Sequence, residues 1–359
     1  MSGLYIHIPY CSQKCIYCDF FSVATRKSKD EYLKALAKEM HLRKDYIKTP
    51  VQTLYIGGGT PSSLDCEQVE FVVKNINANF DLSACRELTI EANPENINEE
   101  YADCLLRLGF NRLSMGVQSF DNSDLRLLGR RHDNLKATEA IRIARLRGFN
   151  NISIDLMFNL PNQTLKKWEA NIDKAIELNC EHLSCYSLTV EQNTMLDKLV
   201  AKGKLTLPDE EESLAQFDLT MNKLSAAGYD HYEVSNYCKG GFRSLHNTSY
   251  WQGVEYLGLG ASAHSFDLES RSHNPTNIQQ YIDMIDQGLA PQKEFLSPKD
   301  RYNEYIMLSL RCKEGIDRRQ IEERFPQFLS HFDKQMEKAS KYLLQPWHTI
   351  DRAAVELML

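Results

Sequence analysis

Followed for its alternation of apolar and polar positions, the chain repeats one unit six times over its first two thirds: a short apolar run, then a longer amphipathic stretch. The apolar runs are 4–9, 53–56, 87–91, 112–117, 152–157 and 182–189. They are rich in Ile, Leu, Val, Tyr and Thr, the composition of buried parallel strands. Between them, 29–47, 65–79, 98–108, 135–147, 165–178 and 210–227 carry apolar residues at helical spacing, as in Ala140, Ile141, Ile143, Ala144 and Leu146. Ser28 or Asp30, Asn98 and Thr164 stand where N-caps belong, and Gly109, Gly148 and Gly228 follow the helix ends. Such a succession predicts parallel strands with right-handed crossovers. Six units fall short of the eight of a closed barrel. The expected fold is therefore α/β, an open partial (β/α)6 TIM-like barrel over residues 1–228.

Past Gly228 the pattern changes. Residues 229–268 are aromatic, His-bearing and Gly-rich with weak periodicity, and belong to an accessory segment expected over 229–295. Helical spacing returns in 298–311, 317–324 and 328–344, which predicts a small, mainly helical C-terminal domain over 296–359. In barrels of this kind ligands sit at the C-terminal ends of the strands. Residues with chemical potential do collect there: a cysteine loop follows the first run, Gly57-Gly58-Gly59-Thr60-Pro61 the second, and Glu91 closes the third. Gln118 closes the fourth, Asp155 lies within the fifth, and Ser187 or Thr189 lies near the end of the sixth.

Composition narrows the field. The 359 residues are 42% hydrophobic and 25% charged, which excludes a disordered or fibrous chain. Forty-two Lys and Arg against 49 Asp and Glu leave a net charge of -7, the wrong sign for a nucleic-acid footprint. No apolar run is long enough to span a membrane, and residues 1–9 lack the features of a signal peptide. A cytoplasmic location is expected, with peripheral membrane contact left open.

Ten cysteines are unremarkable at this length, and structural disulfides are disfavoured in the cytosol. Most look like small buried hydrophobes, Cys104 on a helical apolar stripe and Cys180 and Cys185 at a strand. Cys11, Cys15 and Cys18 differ, forming C-x3-C-x2-C in a loop. Three thiolates can wrap one metal centre without filling it. A structural zinc would want a fourth ligand, for which His7 and His41 are the nearest candidates. A cubane iron–sulfur cluster held by three would keep one iron open to an external ligand. The glycine run lacks the Lys-Ser/Thr ending of a P-loop and the third glycine of the dinucleotide fingerprint. It serves either close backbone approach to a ligand or a plain tight turn.

The cysteine loop with Tyr17 before its last thiol, the GGGTP turn and the barrel pattern together resemble the radical S-adenosylmethionine (SAM) superfamily. Tyr5–Cys11 (YIHIPYC), Glu91-Ala92-Asn93-Pro94, Gly116-Val117-Gln118-Ser119-Phe120, Leu128-Gly129-Arg130-Arg131-His132, Ile154-Asp155-Leu156-Met157 and His246-Asn247-Thr248-Ser249-Tyr250-Trp251 sharpen the match. In this order they resemble the oxygen-independent coproporphyrinogen III oxidase-like group over roughly residues 4–340. Its dehydrogenase branch carries a fourth cysteine where Phe20 stands here, together with a longer N-terminal arm. The intact H-N-x-x-Y-W is typical of the haem-chaperone branch.

The resemblance implies a [4Fe–4S] cluster on Cys11, Cys15 and Cys18, with SAM chelated at the open iron and cleaved by one electron to a 5′-deoxyadenosyl radical. It assigns SAM contacts to Tyr5, Tyr17, Gly58, Gly59, Thr60, Glu91, Gln118, Arg130 and Asp155. It also points to haem binding and delivery to acceptor haemoproteins, with an electron donor as a further partner, and away from porphyrinogen decarboxylation. His246 is the candidate haem ligand, against the alternative of a satisfied structural histidine, with Cys238 and His264 next. The alternatives are a coproporphyrinogen III dehydrogenase-type enzyme acting on propionate side chains, or a zinc-stabilised barrel. Residues 346–359 depart from the helical domain and strand pair with which the family usually ends.

Overall fold

The computed structural model describes residues 2–25, 27–343 and 346–359. Each apolar run is a strand: β1 (Ser2–Ile8), β2 (Thr53–Gly58), β3 (Glu87–Ala92), β4 (Arg112–Gln118), β5 (Ile152–Phe158) and β6 (His182–Ser187). They pair in parallel in chain order, with Leu4, Tyr5 and Ile6 opposite Leu54, Tyr55 and Ile56. Alternation along the strands divides them into two faces. Leu4, Ile6 and Ile8 join the main apolar core with Val69, Val72 and Ile76, while Tyr5 and His7 turn the other way, into the barrel.

The crossovers carry α1 (Lys29–Leu42), α2 (Cys66–Asn79), α3 (Glu99–Arg107), α4 (Asn122–Leu128), α5 (Asn134–Arg147) and α6 (Leu165–Leu178). After β6 come α7 (Met195–Ala201) and α8 (Glu210–Ala226). Asn98 and Thr164 cap α3 and α6 by accepting from Tyr101 N–H and Lys167 N–H, whereas Ser28 precedes α1 without a side-chain cap bond.

The segment after Gly228 extends this same sheet. On one side β7 (Asp230–Glu233) and β8 (Asn236–Cys238) add antiparallel beyond β6. The chain then runs through α9 (Leu245–Trp251) to β9 (Glu255–Leu259), which lies parallel to β1 on the opposite flank. β10 (His264–Phe266), β11 (Ser270–His273), α10 (Ile278–Asp286) and β12 (Lys293–Phe295) follow, the strands antiparallel. The order β12-β11-β10-β9-β1-β2-β3-β4-β5-β6-β8-β7 is open, and its parallel run holds seven strands where the periodicity predicted six. Strands of three to five residues are too short to show a period of two, which is why this region reads as irregular.

Four α-helices complete the described chain: α11 (Pro298–Leu310), α12 (Arg318–Arg324), α13 (Leu329–Ala339) and α14 (Pro346–Leu357). They enclose a second apolar core around Tyr302, Ile306, Phe325 and Phe332. The expected end of the penultimate helix, Leu344, lies outside the described residues. The terminal residues expected to be unfamiliar form α14, whose Ala353 and Leu357 are buried in that core. One cysteine expectation is corrected. Cys104 is buried, but it is joined to Cys66 in a disulfide, with their Cα atoms 6.2 Å apart across α2 and α3.

Candidate functional site

The cysteine loop grows directly from the end of β1 and is fastened at three points. Cys11 N–H donates to Val23 O (3.0 Å) and Val23 N–H to Pro9 O (2.8 Å), which closes its base. Leu196 N–H donates to Ile16 O (2.8 Å), and Ile16 and Tyr17 pack on a small apolar cluster of Leu128, Met157, Leu160, Leu188 and Leu196. Cys11, Cys15 and Cys18 are free and half-buried on this frame. Thr60 Oγ1 donates to Cys11 Sγ (3.4 Å) and Arg130 Nη1 to Cys15 Sγ (3.4 Å). Burial pushes the Cys11 thiol up and the Cys18 thiol to about 11.

The two candidate fourth ligands stay away. His7 spends its ring nitrogens on Tyr5 Oη (3.0 Å) and Phe21 O (3.0 Å), and His41 bonds Asn79 on the outer helices. Among the described residues no three His, Cys, Asp or Glu side chains converge on a single-ion position. A cubane distributes its thiolates over separate irons and does not need such convergence.

The glycine turn beside the loop is dictated by close packing. Gly58 has φ +111°, and a Cβ there would lie 2.7 Å from the His7 ring; one on Gly59 would lie 2.8 Å from the Pro9 carbonyl carbon. The turn is thereby pressed against the strand that launches the cysteines, and the tight-turn reading holds whether or not a ligand is bound. Its Gly58 N–H donates to Glu91 Oε2 (3.1 Å), and Tyr55 Oη donates to Glu91 Oε1 (2.7 Å). Protein surrounds Glu91 and raises its pKa to about 7, the Tyr55 and Gly58 bonds opposing the rise. Asp155, on β5, is raised to about 6 by burial, against a hydrogen bond from Ser184.

Arg130 binds the motifs to one another. Its Nη2 donates to Asn93 Oδ1 (2.6 Å) and Gly116 O (2.7 Å) while Nη1 reaches Cys15, and its buried Nε has no partner among the described residues. Next to it, His132 bonds Val117 O (3.0 Å) and Glu95 (3.2 Å). Gln118 sits at a bulge between β4 and β5 with φ 69°. Tyr17, hydrogen-bonded to Cys15 and near Arg130, has its phenol pKa raised by burial. Cys11, Cys15, Cys18, Tyr17, Gly58, Gly59, Thr60, Glu91, Gln118, Arg130 and Asp155 thus surround one barrel mouth.

His246 is elsewhere. Its ring lies between Thr53 Oγ1 (2.9 Å to Nδ1) and Tyr250 Oη (2.9 Å to Nε2), with 0% of the residue exposed. Thr53 opens β2, and Glu87, which accepts from His246 N–H (2.9 Å), opens β3. The H-N-x-x-Y-W segment therefore plugs the floor of the barrel, opposite the cysteines. Burial lowers the His246 pKa to about 3. With both nitrogens engaged, this histidine has no lone pair to offer a metal as it stands. Tyr5 stacks between floor and mouth, its ring 6.2 Å from Tyr55 and 6.4 Å from His246. Cys238 is buried in β8, on the far flank of the sheet.

His264, by contrast, is exposed and lines a cavity of about 550 Å³ between β1, β9, β10, the cysteine loop and α11. Tyr5, Phe20, Phe21, Tyr250, Trp251 and Tyr256 are on its walls, as are Arg271, Arg301 and Arg324. Sequence reasoning missed these arginines, which lie in no motif. It also missed Tyr55 and Arg112. The latter is 1% exposed inside the barrel, with Nε and Nη1 unpartnered among the described residues. A charged residue opening an otherwise apolar run was the available signal.

Known proteins resemble this chain over most of its length. Residues 5–175 match the radical SAM superfamily, and residues 296–348 match the HemN C-terminal domain. A Bacillus subtilis protein named heme chaperone HemW is 38% identical over 333 residues, covering 90% of this chain and 87% of the relative. The Escherichia coli protein of that name is 39% identical, covering 73% and 69%. Among solved structures, coproporphyrinogen III oxidase (HemN) from Escherichia coli, described as a radical SAM enzyme, superposes with a TM-score of 0.83 at 29% identity. That match covers 95% of this chain and 83% of HemN.

Proposed function

The chain belongs to the HemW family within the radical SAM superfamily, and from that premise we propose that it binds haem and passes it to acceptor haemoproteins. Superfamily membership implies a [4Fe–4S] cluster and SAM. Cys11, Cys15 and Cys18 would hold the cluster, which supplies one-electron chemistry and an iron open to an external ligand. The donor set fits: three free thiols share one loop, and Arg130 and Thr60 already donate to two of them.

The mouth also suits SAM. Glu91 and Asp155 can face a sulfonium and an ammonium, Arg130 keeps an unpartnered buried Nε for a carboxylate, and Gly58 and Gly59 hold the backbone close. Tyr17 and Thr60 complete the rim.

The observation that carries haem over porphyrinogen chemistry is Phe20. It stands where the dehydrogenase branch has its fourth thiol, is 67% exposed, and lines the aromatic cavity beside the cluster loop. Exposed aromatic surface of this extent marks a place where a flat apolar ligand is covered.

The test is made on anaerobically reconstituted protein. Haem should bind with a defined Soret band and move to an apo-haemoprotein on mixing, while coproporphyrinogen III supplied with SAM and reductant should yield no vinyl product. Vinyl product without haem binding would favour the enzyme instead.

A further inference from the structure

The cavity beside the cluster loop differs from the rest of the molecule in charge. Across a chain with a net charge of -7, its charged lining residues are Arg271, Arg301, Arg324 and Glu304. Arg271 is bidentate to Glu304 (3.1 and 2.9 Å), so that pair is internally neutral. Arg301 and Arg324 are left with two uncompensated positive charges. Arg301 has a buried Nε with no hydrogen-bond partner among the described residues. Arg324 has no ion pair among them either, lying over the rings of Tyr305 (5.3 Å) and Phe325 (5.2 Å). Buried donors are normally satisfied, so an unsatisfied guanidinium in a cavity wall points to an acceptor supplied from outside.

The histidines on the same wall differ in a parallel way. His7 has both ring nitrogens engaged. The His264 side chain makes no hydrogen bond among the described residues; its ring only leans on His273 across β10 and β11, with centroids 5.3 Å apart. A free imidazole, two unpaired guanidinium groups and an aromatic lining describe complementarity to a flat, metal-bearing macrocycle with two acid groups.

Resting on the haem-binding reading above, we propose that this cavity is the haem site, with His264 as the axial ligand and Arg301 and Arg324 receiving the two propionates. Tyr250, Trp251, Tyr256 and Phe266 form its apolar walls, and Phe20 and Leu268, 67% and 51% exposed, form a rim that bound haem would cover. The charge count also discriminates between ligands. Two cations match the two acids of haem, whereas a four-acid porphyrinogen would bring two carboxylates with no counter-charge on the wall. Haem would then lie against the loop that carries the cluster, since Phe20 and Phe21 follow closely on Cys18.

The test is a titration of full-length protein with haem and with haem dimethyl ester, in which the propionates are uncharged. The wild type is compared with His264→Ala and with the double substitution Arg301→Ala/Arg324→Ala. Loss of two charge-assisted contacts should weaken haem binding roughly 10- to 100-fold and leave the ester unaffected. His264→Ala should abolish the histidine-ligated Soret spectrum. If the wild type binds haem but both variants keep its affinity and spectrum, the cavity assignment is overturned while haem binding stands. If the wild type binds no haem, the functional reading itself falls.

Discussion

The barrel mouth and the side cavity are neighbours separated by little more than the cysteine loop, yet they are built on opposite principles. At the mouth the anchoring polar groups are largely spent within the protein: the Arg130 terminal nitrogens on Asn93, Gly116 and Cys15, Glu91 on Tyr55 and Gly58. In the cavity the decisive groups, His264, Arg301 and Arg324, are largely unspent. A site whose donors are pre-committed is rigid before its ligand arrives, which suits a cluster that must hold one geometry. A site with open donors, an exposed rim and few internal bonds admits and releases its ligand, which suits cargo.

This contrast can be broken most forcefully at the cysteines. Replacing Cys11, Cys15 and Cys18 together by Ser should remove all of about four irons per chain, measured as iron and acid-labile sulfide after reconstitution. If the two sites are separately built, haem affinity in the same variant should stay close to wild type. A collapse of haem binding would show that the cavity depends on a filled cluster loop.

Arg130→Ala comes next. It deletes a guanidinium that ties three segments of the mouth, so a loss of about 2–4 kcal/mol in unfolding free energy is expected, read by denaturant melts of the apo-protein. A near-neutral result would mean that the network is not what holds the mouth in shape.

The same division explains what was legible in the sequence. Six of the seven parallel strands lie where the apolar runs put them, because a strand buried on both faces has no choice of composition. Much of the mouth was legible because Cys11, Gly58, Gly59, Thr60, Glu91 and Gln118 lie at or just past the ends of consecutive strands, so chain order and spatial order coincide. The surroundings of His246 were not legible for the opposite reason: its motif is distinctive, but its partners, Thr53 and Glu87, open β2 and β3 and are visible only once the strands are assembled around it. Arg271, Arg301 and Arg324 come from β11, α11 and α12 and share no spacing. The short strands β9 to β12 that bring them together carry too few residues for any period. Cys66 and Cys104, 38 residues apart, likewise meet only through the packing of α2 on α3.

Acidity tests the mouth more gently. Because burial lifts Glu91 from 4.5 in the unfolded chain to about 7, the folded protein retains a proton that the unfolded chain gives up. The stability this group contributes is complete below about pH 4.5 and is lost as pH rises through 7. Asp155 acts in the same sense between 3.8 and about 6. Apo-protein stability should therefore fall across this window, with Glu91→Gln removing on the order of 1–2 kcal/mol of the dependence. Affinity for a cationic ligand should move the other way and tighten toward pH 8. A wild-type profile that Glu91→Gln leaves unchanged would show that Glu91 titrates normally.

The smallest effect is expected on the cavity side, and its smallness is the informative part. Arg324 is exposed and lies over the faces of Tyr305 and Phe325. Arg324→Ala should therefore cost about 0.5–1 kcal/mol of stability, the value of exposed cation–π contacts, measured in the same melts as Arg130→Ala. The two substitutions remove the same functional group, so the difference between them isolates what the surroundings have made of it. An arginine whose terminal nitrogens tie segments of its own protein together appears in the folding free energy, whereas one kept open for a ligand should appear in the binding free energy instead. Should Arg324→Ala destabilise the apo-protein as severely as Arg130→Ala, the cavity wall would have to be a second structural network, and the distinction between a fixed centre and a docking place would fail.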